Sequence, residues 1–144
     1  MMMRNRNRGF SLVELLIVIA VLSIAVALGY PSYRDQVRKA RRAEGMGQLL
    51  ELADRMERHY ADLGTYDQAD GSDMTAADIY TDTTDDGYYT LSVDAGTDNV
   101  QFTVRATPTT KGGQNKDKCG TFVLNSLGER SLVGNSIDEN QCWQ

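Results

Sequence analysis

The chain has 144 residues, 15 basic against 20 acidic side chains, a formal net charge of −5, one His and two Cys. That length holds one domain. The acidic balance disfavours nucleic acid as a partner, because neutralising phosphate needs Lys and Arg in excess. A lone His59, no nucleophile motif and no CxxC spacing leave no catalytic, cofactor or metal-binding constellation, so the chain does not read as an enzyme.

Residues 1–9, MMMRNRNRG, are short, polar and basic, and translation starts at Met1, Met2 or Met3. Phe10 to Leu28 follow as an almost wholly apolar run broken by Glu14, with Ser11 and Ser23 as minor interruptions. As a helix this run spans roughly 28 Å, close to the ~30 Å hydrocarbon core of a bilayer, and it reads as one transmembrane helix. A carboxylate inside such a span is costly and points to a paired, functional role. No basic residue lies between Arg8 and Arg34. A cut between Gly9 and Phe10 would supply the missing cation, because the new α-amine titrates near ~8. It could pair with Glu14 of its own chain or of a neighbour. The cut would also remove three Arg and take the formal charge from −5 to −8. A secretory signal has its cut beyond the apolar region; here Gly9 precedes it, so the helix would be kept.

Gly9-Phe10-Ser11-Leu12-Val13-Glu14-Leu15-Leu16 resembles the prepilin signal of type IV pilins and type II secretion pseudopilins. The resemblance implies cleavage after Gly9 by a prepilin peptidase, N-methylation of Phe10, and filament assembly through Glu14 paired with a neighbour's amine. It also implies a cytoplasmic leader and a periplasmic C-terminal domain. The positive-inside count by itself argues the other way, with three Arg before the span and Arg34, Arg38, Lys39, Arg41 and Arg42 after it. The resemblance and, more weakly, the Cys pair decide for the periplasm.

Gly29 and Pro31 interrupt the span, and Pro31 is expected to kink the helix without ending it. In pilins a Pro at this distance from the cleavage site goes with local loosening in the filament. From Tyr33 to Tyr60 the pattern stays helical, with Leu49, Ala53, Met56 and Tyr60 as a narrow apolar stripe expected to pack on a sheet. Glu51, Asp54, Arg55 and Arg58 fall opposite, and His59 lies off the stripe, as a solvated residue does. Arg34, Arg38, Arg41 and Arg42 share one arc. That arc could meet phospholipid heads, acidic neighbours in a filament or DNA; a solvated juxtamembrane face is the other reading. Arg42-Ala43-Glu44, Leu49-Leu50, Glu57-Arg58, Tyr60 and Gly64-Thr65-Tyr66 are similar to the mid-helix of PilE-type minor pilins.

Residues 61–87 are rich in Asp and poor in large apolar side chains, and read as a loop with one helical turn near Thr75–Tyr80. Asp82, Asp85 and Asp86 lack the spacing and terminal Glu of an EF-hand and read as a solvated acidic loop. Tyr88–Asp94 and Val100–Thr107 alternate as strands, with Tyr89, Leu91 and Val93 on one face and Phe102, Val104 and Ala106 on another. Gly96 and Asn99 mark the turn between them, and Pro108 to Lys118 is a polar linker. Thr121–Leu124 is a third strand, Ser126–Glu129 a turn and Ser131–Val133 a short fourth strand. A long helix followed by an antiparallel meander is an α+β fold.

Cys119 and Cys142 suit one disulfide in an oxidising compartment, worth roughly 3 kcal/mol for a loop of this length. Two separate buried thiols are the other reading. Cys119-Gly120, Leu124-Asn125-Ser126-Leu127-Gly128 and Cys142-Trp143 resemble the PilE-type tail, whose Cys-closed segment is surface-exposed. The organisation implied is a leader over 1–9, a transmembrane and filament-core helix over 10–32, and a periplasmic domain over 33–144 that includes the rest of the helix.

The function that follows is a structural subunit, a minor pilin, of a type IV pilus. It would be drawn from an inner-membrane pool and serve pilus assembly, motility or adhesion at the cell surface. Its partners are other pilins, the prepilin peptidase, the inner membrane and an inner-membrane assembly platform. A type II secretion pseudopilin and a DNA-binding or adhesive pilin are the alternatives.

Overall fold

The computed structural model describes residues 10–96 and 100–143. By its internal contacts the chain divides into two units, Met1–Val37 and Arg38–Gln144. Helix α1, Leu12–Leu63, begins in the first and ends in the second. The helical assignment runs through Gly29 and Pro31 without a break, so neither residue ends the helix. Ser23 Oγ donates back to the Ile19 carbonyl at 2.8 Å, which keeps that hydroxyl satisfied inside the apolar run.

In the second unit, α1 buries Gly45, Leu49, Leu52, Ala53 and Met56. This stripe is wider than the one expected, because Leu52 and Gly45 join it. The spacing i, i+4, i+7, i+8, i+11 covers the broad face a helix needs to lie on a sheet. Gly45 marks the closest approach: a Cβ there would stand 2.7 Å from the Tyr89 ring. On the opposite side Glu51 pairs with Arg55 and Asp54 with Arg58, one helical turn apart.

The sheet is an antiparallel meander in the order β1 (Tyr89–Ala95), β2 (Phe102–Pro108), β3 (Thr121–Asn125), β4 (Arg130–Val133). Its register sets Leu91, Ala106, Phe122 and Leu132 in one row across all four strands. All four are buried, as are Tyr89, Phe102, Val104 and Leu124 on the same face. The β3–β4 turn is closed by Asn125, whose Oδ1 accepts from the amides of Leu127 and Glu129. Gly128 there takes a φ of 77°, a conformation Gly adopts without strain.

Two expectations are corrected. The Asp-rich segment after α1 contributes to the core, since Tyr66, Met74 and Ala76 are buried. Tyr66 stacks on Tyr60 at 4.5 Å and meets Phe102 edge-on at 4.8 Å. These apolar residues are isolated in sequence, so no periodicity announced them. The one helical turn is α2, Ala76–Ile79, with a Thr75/Asp78 capping box. Second, the segment between the cysteines is not all surface, because β3 places Phe122 and Leu124 in the core. Cys119 and Cys142 are joined, and both are buried.

Candidate functional site

In the first unit the site is the helix surface. Phe10 is 82% exposed, and the large apolar side chains from Leu12 to Leu28 are all exposed. An 18-residue window here has a mean hydropathy of 2.8, and none of it is buried within the chain. Such a cylinder is stable only in lipid or among other apolar helices. Glu14 lies in the first turn, where the positive end of the helix dipole favours a carboxylate, and its side chain is exposed. Gly9 and the basic leader lie outside the described residues.

In the second unit the basic arc is largely committed. Arg42 Nε donates to Asp117 Oδ2 and Nη2 to Oδ1, each at 2.6 Å. The Arg41 guanidinium lies 3.9 Å from the Tyr88 ring centroid and donates to the Gly112 carbonyl at 3.1 Å. These contacts overturn the solvated reading for Arg41 and Arg42: both fasten the polar linker to α1. That linker is a 3-10 segment, Lys111–Lys116, that turns at Gly112 and Gly113 with positive φ. Gln114 is fully buried beneath it, and its Nε2 donates to the Tyr89 hydroxyl at 2.9 Å and to Asp117 Oδ2 at 3.1 Å. Sequence reasoning missed Gln114, because a Gln in a polar linker carries no signal of burial.

Burial pushes the Tyr89 phenol from 10.0 up to about 12, against the pull of the Gln114 amide. Burial, reinforced by the Glu57 carboxylate that accepts its hydroxyl at 3.2 Å, takes Tyr66 to about 12 as well. His59 is half-buried rather than solvated, and its Nε2 lies 2.6 Å from the Asp67 carbonyl. Among the described residues no His, Cys, Asp and Glu side chains gather as a metal site.

A membrane-type helix continuing into a helix-on-sheet domain with a C-terminal disulfide is the architecture of a pilin-type subunit. The comparisons agree. Residues 31–123 match the family described as "Type IV minor pilin ComP, DNA uptake sequence receptor", and residues 4–30 match the "Prokaryotic N-terminal methylation motif". The fimbrial protein EcpC of Eikenella corrodens is 33% identical over 119 residues, which are 80% of this chain and 74% of that one. A fimbrial protein of Dichelobacter nodosus is 30% identical over 106 residues, 74% of this chain and 64% of that one. The minor pilin PilV of Neisseria meningitidis shares the fold at a TM-score of 0.55 and 22% identity, over 72% of this chain and 94% of that one.

The chain belongs to the type IV pilin family. It is a structural subunit of a type IV pilus and assembles with other pilin subunits in a filament.

Proposed function

We propose that the chain is a minor pilin, cut after Gly9, N-methylated on Phe10 and held in the inner membrane with its C-terminal domain in the periplasm until an assembly platform extracts it. The observation that carries this reading is the exposed apolar surface of Phe10–Leu28, which is satisfied first by lipid and then by neighbouring helices. Contacts among such helices are weakly directional, so the Glu14 carboxylate paired with a neighbour's α-amine sets the axial register. Pro31 supplies the place at which the helix yields in the filament. Motility and adhesion are properties of that filament.

The test follows the N-terminal peptide by quantitative mass spectrometry of sheared filaments. N-methylated Phe10 at trace level is the expected result. The same peptide as the dominant species makes the chain a major pilin, and a processed chain confined to the envelope makes it a pseudopilin. An intact Arg4–Arg8 leader overturns the processing scheme. Glu14→Ala is expected to be cleaved normally yet to be absent from filaments; normal incorporation would sink the register role.

A second reading, DNA reception, draws on the family description over residues 31–123. Lys111, Lys116 and Lys118 are exposed around the linker, while Arg41 and Arg42 are engaged by Tyr88 and Asp117. Fluorescence anisotropy with a fixed-sequence duplex and a scrambled one decides it. Binding must prefer one sequence, and each Lys→Ala that removes a phosphate contact must lower the salt slope by about 1. No binding at low salt removes the reading.

A further inference from the structure

Strand edges expose unpaired amides and carbonyls, and folded proteins cover or blunt them. At the β4 edge, Leu132 N–H donates to the Glu139 carboxylate at 3.2 Å. At the β1 edge, the first half is covered by residues 82–84: Leu91 N–H donates to Asp82 O at 2.7 Å, and Thr84 N–H to Tyr89 O at 2.9 Å. In an antiparallel ladder alternate residues turn their backbone groups to alternate sides. Tyr89 and Leu91 face outward, so Val93 and Ala95 do too. Among the described residues nothing pairs with that second half.

The open stretch borders a cavity of about 490 Å³ whose other wall is Asp67, Asp73 and Met74. Asp67 is only 6% exposed. Its backbone is fully used: its N–H donates to Thr65 Oγ1 at 3.1 Å, and its carbonyl meets His59 Nε2. No hydrogen bond or ion pair reaches its carboxylate among the described residues. Asp67 and Asp73 line the cavity together and present negative charge to it, which is complementary to a cation. The aspartates do not form a metal-type cluster. Met74 and Val93 give the cavity an apolar wall, which suits a cationic head on an aliphatic stem.

We propose that the Val93–Gly96 edge and the Asp67/Asp73 cavity form a docking site for an extended polypeptide segment bearing a lysine or arginine. The segment adds a strand beside β1 through Val93 and Ala95, and its cationic side chain enters the cavity to meet the Asp67 carboxylate. The donor is a protein other than this chain. Among the described residues this chain's own sheet and linker cations do not lie on a free extended segment: Arg105 sits on β2 between β1 and β3, Arg130 lies over the Trp143 ring, and the exposed Lys111, Lys116 and Lys118 lie on the 3-10 linker and the turn after it.

The test titrates the full chain in non-ionic detergent with the hexapeptide acetyl-(Val-Lys)3-amide, with acetyl-(Val-Glu)3-amide as control, by calorimetry and amide NMR. The lysine peptide is expected to bind and to shift the Val93–Gly96 amides; the glutamate peptide is not. Asp67→Asn should weaken binding about ten-fold or more. Val93→Pro should do the same while leaving the fold intact, because Pro is tolerated where an edge N–H faces outward. Circular dichroism and thermal unfolding check that both variants are folded. No binding of the lysine peptide, equal binding of the two peptides, or folded variants with unchanged affinity overturns the proposal. Self-association blocked by Val93→Pro, with no peptide binding, overturns it in favour of a second copy at that edge.

Discussion

Arg42 and Asp117 lie 75 residues apart in sequence and form a two-pronged ion pair, with both bonds at 2.6 Å. The Asp117 side chain is 1% exposed and that of Arg42 14%. Asp117 also accepts from Gln114 and, at 3.4 Å, from the Cys119 amide, so one carboxylate ties α1 to the linker and to the start of the disulfide loop.

Removing one partner strands a buried charge, which costs about 3–5 kcal/mol. Arg42→Met and Asp117→Asn are each expected to lower stability on this scale in denaturant unfolding. The double variant should recover part of the loss. If the double variant loses the full sum of the two, the pair is not coupled.

The two raised tyrosines predict an alkaline transition. A phenol whose pKa rises on folding contributes stability that is complete below the unfolded value of 10.0 and is lost as pH climbs through about 12. Stability should therefore fall between pH 10.0 and about 12. Tyr89→Phe should remove its share of the slope, at the expense of the hydrogen bond from Gln114. Unfolding curves across that range, with tyrosinate absorbance, provide the check; an unchanged slope in Tyr89→Phe would refute the assignment.

Gly45 and Gly47 stand two positions apart on α1 and should respond oppositely to Ala. At Gly45 the new methyl would press on the Tyr89 ring, and overpacking of this kind costs about 1–3 kcal/mol. At Gly47 nothing lies within 4 Å, so Ala gains helix propensity of about 0.5–1 kcal/mol. A rise in melting temperature for Gly45→Ala would show that the helix can lift off Tyr89.

The Cys119–Cys142 bond closes a sequence separation of 23. Its loss in the Cys119→Ser/Cys142→Ser double variant should cost roughly 3 kcal/mol by loop-closure entropy. Melting of the oxidised protein against the double variant measures it. A drop well under 1 kcal/mol would mean that the buried Phe122 and Trp143 contact, with ring centroids 5.0 Å apart, holds the tail alone.

Local order along the chain determined the elements. An apolar run broken only by Glu14 and long enough to cross a bilayer reads as a membrane helix, and strict alternation in 88–94 and 100–107 reads as strands whose inward faces the structure keeps. The Cys pair suits one disulfide but leaves two separate thiols open in the sequence, and it is the structure that joins Cys119 to Cys142. Tertiary structure decided what depends on distant partners. Arg41 and Arg42 read as solvent- or ligand-facing until Asp117, Tyr88 and Gly112 are brought against them. Gln114 and Asp67 read as ordinary loop residues, and only packing makes one a buried bridge and sets the other in a cavity beside the β1 edge. Periodicity reports which face of an element is apolar; it carries no information about which polar group folding will bury, because that depends on what arrives from elsewhere in the chain.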